Sequence, residues 1–425
     1  MGPGPPEGDV VAENGDGGRR GWRGLTLDLG PLRRHRQFQL LVISWGVSFF
    51  GSMITYVAVP FEVFHLTHSS LDVGLVGLVE LVCLLSTAFL GGALADAVDR
   101  RKLVLGTEAL MAIGAACLAL DASLIHPRVW PFFVIAGLEA GIDAIQRPAL
   151  TALIPRLVDP SEMTAAAAIH SFESTIGQIA GPAVAGLIIA TAGLPVAFLV
   201  DLGTFALSLV ALAAMVAVPP PPDAAGPSIR RVLEGFAYAR SRPELIGTYT
   251  VDLLAMFFGM PMALFPALAS RYGGAGVLGL LYAAPSVGAC LATATSGWTR
   301  RAHRHGRAIL AAAASWGAAI VIFGLAHPLW LAVAGLIVAG GADMISGIFR
   351  TTLWNQTIPD SLRGRLASVE LVSYSAGPLL GNAESGAAAS LIGVGPAIVA
   401  GGALCVVSIA VCAAVFPSLR SYDDR

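Results

Sequence analysis

Glu139, Asp143 and Arg147 fall four residues apart in LEAGIDAIQRPAL, inside a long apolar run. In a helix that spacing lines them along one face, where the aspartate and the arginine can pair. Asp343 and Arg350 repeat the combination seven residues apart, again on one helical face. Glu80, Glu173 and Glu384 lie on spans two, five and eleven. Ionisable groups in such surroundings cost several kcal/mol unless paired or wetted. Acids and bases so placed can hold and release a proton or grip a polar ligand, and the bland alternative is an ion pair that only staples helices together. On span one, Trp45, Phe49, Phe50 and Tyr56 could stack on a ligand or simply pack. His170 reads as structural. Glu108, Asp121, Asp252 and Glu370 sit nearer span ends, where placement at the membrane interface explains them.

The elements that must hold these residues follow from composition. The 425 residues are 55% hydrophobic and 13% charged, against about 25% charged in a soluble domain. Such a chain cannot cover itself with a charged skin, and the 49 glycines suit closely packed membrane helices. A soluble protein is excluded. Twelve apolar runs reach the roughly 20 residues that cross a bilayer, at 37–61, 71–94, 103–124, 129–153, 164–191, 194–217, 245–269, 276–298, 308–326, 328–353, 366–391 and 395–416. Of the 26 arginines and lysines, all but Arg128, Arg147, Arg271 and Arg350 fall on one side if the spans alternate. By the positive-inside rule that side is the cytoplasm, and both termini lie there. The opening 36 residues lack the apolar core of a signal peptide and read as a disordered tail. The five cysteines are scattered, with no metal-ligand or disulfide spacing, and His303 and His305 make no metal site.

The chain reads as an all-α integral membrane protein in two related halves. A tail (1–36) precedes an amino-terminal six-helix bundle (37–217), a cytoplasmic linker with a basic amphipathic segment (218–244), a second six-helix bundle (245–416) and a short tail (417–425). A shift of 200 residues lays Gly177, Gly181, Gly186 and Gly193 on Gly377, Gly381, Gly386 and Gly393, and Gly141 and Asp143 on Gly341 and Asp343. Parallel repeats of this kind place a ligand site between the halves.

Two motifs are specific. GALADAVDRRKL, from Gly92 to Leu103, holds Gly92, Asp96, Asp99, Arg100 and Arg101 in a short connection between spans two and three. It resembles the loop signature of the major facilitator superfamily, with Ala97 in place of a usual base and Asp99 in place of a usual glycine. GQIAGPAVAG, carrying Gly177, Gly181, Pro182 and Gly186, resembles the glycine-proline element of exporters in that superfamily. QRPA (Gln146–Ala149) and IPRLV (Ile154–Val158) resemble its enterobactin-exporter-like branch. The resemblance spans residues 37 to 416. It implies twelve helices in two pseudo-symmetric bundles, spans one, four, seven and ten around a central cavity, and a gate in which Asp96 meets a helix end of the other half. A carboxylate is favoured at a helix amino terminus, although the loop charges could equally serve topology alone.

No phosphate-binding loop and no catalytic motif is present, so neither ATP-driven work nor an enzyme is expected, and no cofactor. A net charge of −2 gives no reason to expect a nucleic-acid partner. The resemblance implies a monomeric, proton-coupled exporter of a siderophore-like metabolite or amphipathic drug in a bacterial cytoplasmic membrane. A lipid or lysolipid transporter of the same fold, or a sensor that binds without turnover, are the alternatives. If Asp96 closes the cytoplasmic side, Asp96→Asn is expected to insert normally yet rest open to the cytoplasm and work slowly. Thiol labelling of that face reads this out, and unchanged labelling with full activity leaves Asp96 a topology role only.

Overall fold

A computed structural model describes residues 28–218 and 237–423. The amino-terminal tail through residue 27 and most of the linker, including its expected amphipathic segment, lie outside the described residues. Twelve helical segments follow one another: α1 Arg36–Thr67, α2 Ser70–Ala97, α3 Arg100–Ala122, α4 Trp130–Leu157, α5 Met163–Ala192, α6 Leu194–Ala213, α7, α8 Ala275–Ala294, α9 His305–Leu325, α10 Leu329–Thr357, α11 Asp360–Ile392 and α12 Val394–Val415. The seventh is in two pieces, α7a Pro243–Gly259 and α7b Phe265–Tyr272. Among the described residues, 10 helical stretches are long and apolar enough to cross a membrane. The remaining two segments are α4 and α11, which carry Glu139, Asp143, Arg147 and Glu384.

Local chemistry sets the helix ends. The Ser69 hydroxyl accepts from Asp72 N at 3.2 Å and starts α2. Asp99 accepts from Arg101 N at 2.9 Å and Lys102 N at 3.3 Å, capping α3. Gly193 at φ +88° and Gly393 at φ +87° make the same left-handed turn between α5 and α6 and between α11 and α12, a conformation that glycine adopts without strain. Their identity confirms the 200-residue repeat. The expected single span at 245–269 is instead broken around Pro261, and Asn382 Oδ1 accepts from Ala263 N at 3.2 Å, satisfying a backbone group freed by the break.

Within the first half, α1 lies against α5 and α6, and α4 against α2 and α3. Between the halves, α2 lies on α11 and α5 on α8. The repeated glycines mark both kinds of contact. Gly177 and Gly181 admit Phe49 and Met53 of α1, and Gly377 and Gly381 admit Met256 and Met260 on the α7 segment. Gly186 is different. A Cβ there would lie 2.7 Å from Ala275 O and 3.0 Å from Gly279 Cα, across the boundary between halves. Gly386 repeats this against Ser70 O at 2.5 Å and Gly74 Cα at 3.2 Å. Both crossings lie at the end of the bundle remote from the arginine-rich loops.

Side chains at these two kinds of glycine therefore act differently. Gly181→Leu overpacks one half and is expected to lower Tm and yield. Gly186→Leu wedges the halves apart at their crossing, so a cysteine placed at Tyr282 becomes accessible from the remote face. Equal labelling in both variants contradicts the assignment.

Candidate functional site

The first half holds its expected pair. Arg147 Nε donates to Asp143 Oδ2 at 2.6 Å, with 55% and 34% of the two side chains exposed. Tyr374, on α11 of the other half, also interacts with the Arg147 guanidinium. This pair therefore faces the boundary between halves. Glu139 does not join it. Its Oε1 lies where a Cβ on Gly114 of α3 would meet it at 2.9 Å, and it senses Asp201 and Glu80 rather than a cation. The expected common face is thus split between the boundary and the interior of the bundle.

In the second half, α10 brings Arg350 between two acids. Its Nη1 pairs closely with Asp252 of α7a, and Nη2 lies 3.7 Å from Asp343 Oδ1. Asp252, expected near a span end, is 5% exposed and sits inside the second half. Its place was hidden because α10 supplies the partner, nearly a hundred residues away. Ser373 Oγ donates to Asp252 Oδ2 at 3.5 Å. A small pocket beside the pair is lined by Asp252, Met256, Trp316, Asp343 and Ser346.

At the remote end of the central space, Tyr56 of α1 meets Tyr282 of α8 edge to face, with ring centroids 5.5 Å apart. The Tyr56 hydroxyl donates to Met262 Sδ at 3.2 Å, and Glu80 of α2 acts electrostatically on both tyrosines. Glu80 is half-buried, as is Glu384 on α11. Trp45 stacks on His170 with centroids 3.5 Å apart, which gives that histidine a packing role. Phe49 packs on Gly177.

The charged loop is a clamp within its own half. Asp99 caps α3, Arg100 Nη1 donates to Ala152 O of α4 at 3.0 Å, and Arg101 donates to Leu212 O at 2.8 Å and Ala213 O at 2.6 Å. Two orphan carbonyls at the end of α6 are thereby satisfied. The Asp96 side chain lies outside the described residues. His35, Asp159 and Glu162 come within 4.8 Å of one another. Arg34 and His35 each bond Glu162 at 2.7 Å, contacts that tie the start of α1 to the α4–α5 turn.

Removing Arg350 leaves Asp252 buried without its cation. Arg350→Gln is expected to cost about 3–5 kcal/mol, seen as a marked fall in Tm, and adding Asp252→Asn recovers most of the loss. Single and double variants that melt alike make the pair energetically idle.

The family described as a transmembrane secretion effector matches residues 26–424. The enterobactin exporter EntS of Citrobacter koseri is 29% identical over 395 residues, 92% of this chain and 94% of that protein. Its counterpart in Escherichia coli O1:K1 is 28% identical over 363 residues, 85% of this chain and 87% of the relative. The solved nucleoside transporter NupG superposes with a TM-score of 0.75 at 15% identity, covering 89% of this chain and 99% of that one. A bacterial homologue of the lysosomal transporter Spinster, inward-facing and unoccupied, gives 0.67 at 15% identity over 91% and 96% of the two chains. With two related helical halves meeting at glycine crossings and a charged boundary between them, the chain belongs to the transmembrane secretion effector family and is a multi-pass transporter of the major facilitator fold.

Proposed function

We propose that the protein exports a small, siderophore-like aromatic metabolite by alternating access, with protons as counter-ion, from a bacterial cytoplasm into which both termini project. The single observation that carries this reading is the half-exposed Arg147, held by Asp143 on one half and touched by Tyr374 of the other. An arginine so placed offers several donors to a phenolic or carboxylate oxygen, and aromatic rings such as Tyr56 and Tyr282 offer stacking surface at the remote end. The relatives that span nearly the whole chain are enterobactin exporters, which supports the same substrate class. The glycine crossings hold the remote end together, while Arg100 and Arg101 at the opposite end bind carbonyls of their own half. That pattern suits a carrier open toward the loops, with Asp96 closing that side later in the cycle.

Proteoliposomes separate the possibilities. A catecholate siderophore is expected to be moved with a pH gradient, and a lysophospholipid or a cationic dye is not. Arg147→Gln is expected to lower the siderophore kcat/KM by about ten- to a hundredfold, the loss of one charge-assisted hydrogen bond. Lysophospholipid movement in preference to siderophore would make it a lipid carrier, and binding of siderophore without movement would make it a sensor.

A further inference from the structure

In its interior, the first half buries a carboxyl group with an unusual set of partners. Glu108 of α3 is 2% exposed. Its Oε1 accepts twice, from Ser48 Oγ of α1 at 3.1 Å and from Gln146 Nε2 of α4 at 2.8 Å. Its Oε2 is buried and has no hydrogen-bond partner within normal distance. Ser208 of α6 stands beside it and shares a 2.7 Å hydrogen bond with Ser44 of α1. All four of these partners are themselves at least 95% buried.

Among the described residues, no cation is paired with Glu108. Arg100 and Arg101 start the same helix, about 12 Å away at 1.5 Å per residue, and are bound to carbonyls of α4 and α6. The titratable group facing Glu108 from α6 is Asp201. Asp201 is held by Thr55 and Thr204. From α4, Glu139 faces Asp201 in turn, with Glu80 of α2 beyond it. Asp143 and Arg147, also on α4, are satisfied by each other. The α1 face presents the two serines, and its own acid, Glu62, sits near the far end beside His65.

We propose that Glu108, with Ser44, Ser48, Gln146 and Ser208, is a proton-binding site built into the interior of the first bundle. A carboxylate buried in the bundle with no cation beside it is costly, and a bound proton removes that charge. The donor pattern is that of a carboxylic acid. Oε1, with two donors, plays the carbonyl oxygen, and Oε2, which has no partner at hydrogen-bond distance, is the oxygen left to carry the hydrogen, with the Ser208 hydroxyl beside the carboxyl. When the proton leaves, Ser208 and Ser44 can rotate their hydroxyls to donate instead, because either can act as donor or acceptor. The site joins α1 and α4 to α3 and α6, and Gln146 is the immediate neighbour of Arg147. Proton occupancy is thereby felt next to the exposed arginine. The site's existence is independent of the export reading; its use in coupling rests on that reading.

Infrared difference spectra of the purified full chain test the site without any substrate. Wild type minus Glu108→Gln is expected to show the loss of one protonated-carboxyl C=O band near neutral pH. Ser208→Ala, which keeps the glutamate, is expected to shift that band to higher frequency by removing its acceptor. Loss of carboxylate bands instead, or a Ser208→Ala spectrum identical to wild type, overturns the proposal. So does removal of the band by sodium at fixed pH, which would make this a sodium site. If the band behaves as expected and no siderophore is moved, the site stands and the export reading falls.

Discussion

Hydrocarbon offers no hydrogen bonds, so each polar group at membrane depth must find its partner inside the protein. That constraint organises this fold more than any single packing contact. It fixes where α7 can break, because Asn382 must stand opposite the freed amide of Ala263. It sets Arg350 between Asp252 and Asp343. It also explains why Arg101 reaches across to the last carbonyls of α6. The short loop that looks like a knot of free charge is, in its described part, a set of helix caps and clamps.

The two halves answer the same demand differently. The second half neutralises its buried acid with an arginine, which is strong but fixed. The first half surrounds Glu108 with hydroxyls and an amide, which can donate or accept and so tolerate a change of charge. The arginine of the first half is turned out to the boundary between bundles, where 55% of its side chain is exposed. The two copies of the repeat therefore hold their buried acids in different ways.

Much of this was legible in sequence because periodicity and glycine spacing are local signals. The span order and the Asp143–Arg147 pair depend on residues close in the chain, and the repeat shows as the same local glycine spacing met twice, ending at Gly193 and Gly393. The contacts that stayed hidden join residues far apart. Asp252 finds Arg350, Tyr374 reaches Arg147, and Glu108 gathers groups from α1, α4 and α6. Glu139 shows the limit of the helical-face argument. Four-residue spacing set it beside Asp143, yet the notch at Gly114 draws its carboxyl toward α3. A pattern on one helix cannot report the shape of its neighbour.

The break in α7 divides that segment mechanically. Below it, α7a carries Asp252 and is riveted to α10 through Arg350. Above it, α7b packs on α8 and reaches α1 of the other bundle. An unbroken rod would transmit any tilt at its outer tip straight down to the buried ion pair. With an elbow at residues 260–264, the outer piece can follow α1 while the inner piece stays anchored. Asn382 Oδ1 supplies the elbow's backbone by accepting from Ala263 N.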